Sequence, residues 1–126
     1  MNVNDRFFPI VENMLDWTAK RQQTISANLT NIDTPGYKAK DVSFSEYMQH
    51  LELEKTSSSH LAPVTQNNSM RIYEVGGEEK QNGNTVDLDR EMTELSKNGL
   101  QYIALIQFLN QKIRTLRSAI NDGGKV

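Results

Sequence analysis

With 126 residues, 37 % apolar side chains, a formal charge of −2 and no cysteine, the chain has room for one domain of ordinary size around a thin core. Its charge balance lacks the basic surplus of a nucleic-acid or anionic-membrane binder, and the missing thiols exclude disulfides, thiolate metal sites and cysteine nucleophiles. No apolar run approaches the roughly 20 residues that span a bilayer, and Met1–Arg6 lacks the basic and apolar regions of a secretory signal.

Residues 1–9 read as a frayed lead-in. Beyond them Val11, Leu15, Thr18, Gln22, Ile25, Leu29 and Ile32 recur at alternating steps of four and three, the mark of one helical seam. Two members are polar, so the seam is apolar at its ends and wet in its middle. The helix stops at Thr34-Pro35-Gly36. Proline pushes Thr34 out of the helical region and removes a donor. Pro35 and Gly36 suit the central positions of a type II turn, the second of which needs positive φ. Asn28, Asn31, Thr34, Pro35, Gly36 and Tyr37 form this turn motif and set the exit direction of the chain. Trp17 and Tyr37 are either interface anchors or locally packed aromatics. Lys38 and Lys40 are candidates for salt bridges to another chain, weak ones if exposed.

Residues 38–84 differ in kind. Ser43-Phe44-Ser45-Glu46 fits a capping box, and a short helix over about 44–54 would carry Phe44, Tyr47, Met48 and Leu51 on one face. Lys55 to Ser69 is rich in Ser, Thr and Asn and reads as linker. Met70–Val75 suits a short strand, although one or two strands make no independent sheet.

The C-terminal third carries the strongest pattern. Leu88, Met92, Leu95, Gly99, Tyr102, Ile106, Leu109, Ile113, Leu116 and Ile120 again step by four and three, and all but Gly99 are apolar or aromatic. Asn84 or Asp87 can cap the start. Asp87, Asp89 and Glu91 favour the positive end of the helix dipole, Lys112, Arg114 and Arg117 favour the other end, and Gly123-Gly124 closes it. Gly99 marks either a close crossing with another helix or a mild bend. Such a helix is a rod of about 50 Å, against about 33 Å for the N-terminal one. Pairing within the chain therefore leaves apolar seam for other molecules to cover.

Catalytic, cofactor and metal sites are not expected. From Asp87 the calcium-loop positions for Gly and Glu hold Met92 and Asn98. His50 and His60 read as solvated, and Ser57–Ser59 have no visible base. The sequons at Asn28 and Asn67 are chance-level patterns.

Asn28-Leu29, Asn31 and Thr34-Pro35-Gly36-Tyr37-Lys38 are similar to the N-terminal signature of bacterial flagellar basal-body rod and hook proteins. Gly83–Met92 followed by a long helix resembles the proximal rod members, and so does the short chain without a large inserted β domain. The likeness covers residues 10–48 and 82–121; Thr30 stands where Ala is usual, away from the turn. It implies a non-enzymatic drive-shaft subunit of the flagellum, exported by the flagellar type III system without a cleaved signal. Its terminal helices would join a coaxial coiled-coil core. Implied partners are its own copies, other rod proteins, the rod adaptor FliE and the ring protein FliF, with no nucleic acid, membrane insertion or small-molecule substrate.

The expected fold is mainly α. N- and C-terminal heptad-patterned helices pair as a coiled-coil-like hairpin, with a short middle helix and an irregular, partly disordered central segment. The divisions fall at 1–37, 38–84 and 85–126. The expected assembly face is Val11, Leu15, Ile25, Leu29 and Ile32 with Leu88, Met92, Leu95, Tyr102, Ile106, Leu109, Ile113, Leu116 and Ile120. A soluble helical adaptor or export chaperone that holds one partner helix in a groove is the alternative reading.

Overall fold

The computed structural model describes residues 3–44 and 70–124. Two long helices, α1 (Val3–Thr30) and α2 (Leu88–Gly123), are joined through a two-stranded ribbon of β1 (Lys40–Val42) and β2 (Ile72–Glu74). The helices run antiparallel. Phe7 stacks on Phe108 at one end, Asn98 bonds Thr18 in the middle, and Asn28 bonds Glu91 at the other end. The strands pair antiparallel, with Lys40 opposite Glu74 and Val42 opposite Ile72. The expected short helix over 44–54, apart from Phe44, and the linker up to Ser69 lie outside the described residues, as do His50, His60 and Ser57–Ser59. No helix among the described residues is long and apolar enough to cross a membrane.

Several boundaries differ from the sequence reading. The lead-in is helical from Val3, and Pro9 sits inside α1. Proline there forgoes one backbone bond near a helix end. The stretch is held by Phe7, whose ring meets Phe108 at 5.3 Å and the Lys112 ammonium at 5.4 Å. At its far end α1 stops at Thr30, two residues earlier than the seam suggests, and tightens through three-residue turns (Ile32 N–H to Leu29 O, Thr34 N–H to Asn31 O). Strand β1 went unread, because three residues give no periodicity. Asp87 caps α2, its side chain accepting from Arg90 N–H.

The ribbon is stable because it leans on α1. Trp17 Nε1 donates to Val42 O at 3.1 Å, the Trp17 ring lies 4.9 Å from that of Phe44, and Ala39 and Val42 are buried. So α1 has two working faces. Val11, Leu15, Thr18, Gln22, Ile25, Leu29 and Ile32 are all buried or half-buried. Trp17, Arg21, Thr24 and Asn28, also spaced four-three-four, form the face of α1 toward the ribbon. The interior is unusually polar. Among the described residues Thr18, Thr24, Asn28, Asn84, Glu91 and Asn98 are buried beside seven apolar ones, so hydrogen bonds carry much of its specificity.

Candidate assembly surface

The turn motif and the segment before α2 form one joint, although some fifty residues separate them. Asn28 is fully buried. Its Oδ1 accepts from Lys40 N–H at 3.0 Å and from the Tyr37 hydroxyl at 3.2 Å. Its Nδ2 donates to Lys40 O at 2.8 Å and to Glu91 Oε2 at 3.0 Å. One amide thus serves both backbone groups of Lys40, as a neighbouring strand would, and ties the start of β1 to α2. Asn84 is its counterpart. Its Nδ2 donates to Asn31 O and Thr34 O, each at 2.8 Å, so it supplies donors to carbonyls around the end of α1. Its Oδ1 accepts from Val86 N–H at 2.7 Å. Sequence reading offered Asn84 as a cap for the helix that follows; it serves the end of the helix that precedes.

Thr34-Pro35-Gly36-Tyr37 closes with a Tyr37 N–H to Thr34 O bond of 3.3 Å, and Gly36 has φ +73°, as a type II turn demands. Gly36 N–H donates to Asn82 O, and Thr85 N–H to Tyr37 O. A Cβ on Gly83, whose φ is +81°, would stand 3.4 Å from Gly36 Cα and 3.3 Å from Glu79 Oε1. At Gly36 an added Cβ meets nothing within 4 Å, so its constraint is purely conformational. Gly36→Val is expected to lower stability by about 2 kcal/mol and Gly36→Asn by much less, because Asn tolerates the left-handed region; thermal melts of the two variants check the order. Lys38 does not await another chain: its Nζ donates to Gly83 O at 2.8 Å and pairs with Glu79 at 3.0 Å. Lys40 lies 5.9 Å over the Tyr37 ring, and Tyr37 packs against the end of its own helix.

Arg21 joins three elements. It grips Asp41 of β1 with two bonds of 2.9 and 3.0 Å and reaches Glu94 of α2 at 2.6 Å, with the Trp17 ring 5.5 Å away. The Asp41 hydrogen bond outweighs burial and, with Glu94, raises the Arg21 pKa; the Arg21 bond in turn lowers that of Glu94. Glu91 goes the other way. Burial pushes its carboxyl up, and the Asn28 hydrogen bond offsets this only in part. Burial, then the charge of Glu91, raises the Tyr37 hydroxyl as well. Glu91 does sit in the first turn of α2, where an acid compensates the helix dipole, and it is also part of the interior.

These shifts fix a pH dependence. An acid raised above its unfolded value of 4.5 binds its proton more tightly when folded, so its contribution grows as pH falls into that window and is lost as pH rises through it. Glu94, lowered, stabilises above the unfolded value and loses this as pH falls through its own. Stability measured by urea melts is therefore expected to rise modestly from neutral pH toward about pH 5 and then fall. Glu91→Gln, which keeps an acceptor for Asn28 and removes the buried charge, is expected to abolish the first rise and lift the neutral-pH melting point by a few degrees.

The expected assembly residues divide sharply. Val11 and Ile25 are buried against α2 within the chain itself, and Leu15, Leu29 and Ile32 are half-buried. On α2 the buried positions are Glu91, Asn98 and Leu105, and not the pure apolar ladder. Leu95, Ile106, Leu109 and Leu116 are half-buried. Leu88, Met92, Tyr102, Ile113 and Ile120 are exposed, and so are Ile103 and Phe108. The 28 residues of α1 against 36 of α2 leave a difference of eight residues, roughly two turns or about 12 Å. The uncovered apolar surface therefore runs along the flank of α2, on the side away from the ribbon, as well as at its end. There Phe8, Ile113, Leu116 and Ile120 share one shallow groove. Sequence reading left Trp17 open between interface anchor and local packing, which the structure resolves as local packing, and it missed Arg21 and Asn98. The four-three-four spacing of Trp17, Arg21, Thr24 and Asn28 was the available signal for Trp17 and Arg21. Among the described residues no group of His, Asp or Glu is placed to hold a metal ion.

A family model described as "Flagella basal body rod protein" matches residues 15–38. These residues run from the middle of α1 through the turn. Relatives named "Flagellar basal body rod protein FlgB" align over nearly the whole chain. The protein from Bacillus subtilis (strain 168) is 38% identical over 90% of this chain and 92% of its own length. That from Aeromonas hydrophila is 32% identical over 92% and 93%, and that from Escherichia coli (strain K12) is 28% identical over 86% and 88%.

Proposed function

The chain belongs to the FlgB family of flagellar basal body rod proteins, and from that membership we propose that it is a structural subunit of the proximal rod, mechanical rather than catalytic, which joins its neighbours through the flank of α2. The observation that carries this reading is the row of exposed apolar side chains on one helix: Met92 at 49%, Ile103 at 54%, Ile113 at 48% and Ile120 at 75% exposure. A row of that length on a thin-cored chain suits a partner surface. Neighbouring helices on that flank would bury it and give the close-packed, low-compressibility contacts that a torque-bearing shaft needs.

Other rod proteins are the first class of neighbour. The rod adaptor FliE and the ring protein FliF are proposed at the base of the rod, and delivery is proposed through the flagellar type III route. The test is purification of basal bodies from cells that carry a tagged chain in place of the original. The chain is expected in the rod fraction, and its deletion is expected to leave cells without flagella. Recovery only as a soluble one-to-one complex with a single helical partner would overturn this reading in favour of an adaptor.

A further inference from the structure

Two unexplained features sit side by side on the flank of α2. Asn98 is 1% exposed; its Nδ2 donates to Thr18 O at 2.9 Å and to Gln22 Oε1 at 2.8 Å. Because Thr18 O can only accept, the amide orientation is fixed. Its Oδ1 is then a buried acceptor with no donor among the described residues, a state native interiors rarely leave uncorrected. Next to it, Gly99 stands inside a 36-residue helix, where glycine is disfavoured. Yet an added Cβ there meets nothing within 4 Å, so no packing among the described residues requires it. Both residues line an open groove of about 470 Å³, with Ala19 and Gln22 on the α1 side and Tyr102 and Ile103 on the other. The ribbon covers the opposite side of the helix pair. A groove between two helices, lined by a glycine and by the residue whose buried acceptor lies unpaired just beneath the surface, and walled by apolar side chains, has the form of a seat for a third helix that brings a hydrogen-bond donor close to the backbone.

The same chain presents such a helix. Between Arg21 and Asp33 it carries no charged residue, although Gln23, Ser26, Ala27 and Thr30 of α1 face solvent. A solvated helix back ordinarily carries charge, and depletion of charge marks the core of an interface. Ala27 is small enough to meet Gly99, and Gln23 and Ser26 bring donors within a turn of it. We propose that the back of α1 in one copy seats in the Asn98–Gly99 groove of the next, with Gln23 or Ser26 donating to Asn98 Oδ1. The two surfaces are different, so the contact is head-to-tail and repeats from copy to copy as a ring or helical array. The proposal rests on the rod reading and names one neighbour at the α2 flank.

A chain without cysteine allows a direct test. Ala27→Cys and Ile103→Cys are made singly and together in the full-length chain and treated with a short bismaleimide. The treatment is applied to the purified chain at high concentration and to isolated basal bodies. The two single variants mixed are expected to yield a dimer of one of each, the double variant a ladder, and each single variant alone no dimer. Adding Gly99→Leu to the double variant is expected to cut cross-linking at least tenfold while helicity by circular dichroism stays at or above that of the parent. Dimers from one single variant alone, or no mixed dimer in either preparation, would overturn the head-to-tail contact. A chain present in basal bodies without mixed dimers leaves the rod reading standing, and a chain absent from basal bodies ends the rod reading whatever the cross-links show.

Discussion

Asn28→Ala is expected to remove about 4 kcal/mol of stability and to leave the ribbon unpinned from α1. Four hydrogen bonds converge on this one amide. Its loss strands the Lys40 N–H and C=O and a buried Glu91 carboxylate, and each unsatisfied buried group costs about 1–3 kcal/mol, more when charged. Against a total of about 5–15 kcal/mol for a small domain, such a loss is close to global. Urea melts followed by circular dichroism and by Trp17 fluorescence check it; the fluorescence should report the loss of the Val42 contact. Asn28→Asp is the sharper variant. It keeps acceptors for Lys40 N–H and Tyr37, but sets a carboxylate against Lys40 O and against Glu91. The deficit should shrink as pH falls and one of the two carboxyls takes a proton. A variant as stable as the parent at neutral pH would mean that the joint is not held by this amide.

Ile113→Asp is expected to do the opposite: to spare the chain and stop the rod. Ile113 is 48% exposed, so its replacement should change the stability of the isolated chain by no more than about 0.5 kcal/mol. Burying the new carboxylate at a helix contact costs several kcal/mol, however. Cells carrying the variant are expected to make normal amounts of soluble chain, to fail to swim, and to lack complete rods in purified basal bodies. Leu109→Asp is a poorer probe, because Leu109 is half-buried and the change would injure the fold as well. Motile cells with normal rods would remove Ile113 from the assembly face.

The two helices, the Asp87 cap and the positive φ at Gly36 were legible because each depends on a few neighbouring residues. The seam of α1 was legible too, Thr18 and Gln22 included, because a period of 3.5 survives two polar members. What hydropathy could not supply was the rotation of α2. Its apolar stripe is broad, and the part turned toward α1 carries Glu91 and Asn98, residues that a hydrophobic ladder scores as outside. They are inside because they meet Asn28 and Thr18, polar themselves, so each makes sense only with the other helix in view. Arg21 and Asn84 were illegible for the same reason: their partners lie across the fold, at Glu94 and at Asn31 and Thr34.

Ser43 N–H donates to Arg71 O at 3.0 Å, which fixes the two ends of the intervening stretch side by side at the tip of the ribbon. The stretch between them starts and finishes at one point, so its length is decoupled from the geometry of the helices. Closing a longer excursion adds only about 0.6 kcal/mol for each doubling. The scaffold can therefore exchange that stretch for a longer one, even an entire extra domain, without moving a single atom of the joint below it. The variable part and the coupling part of the molecule are free to change at independent rates.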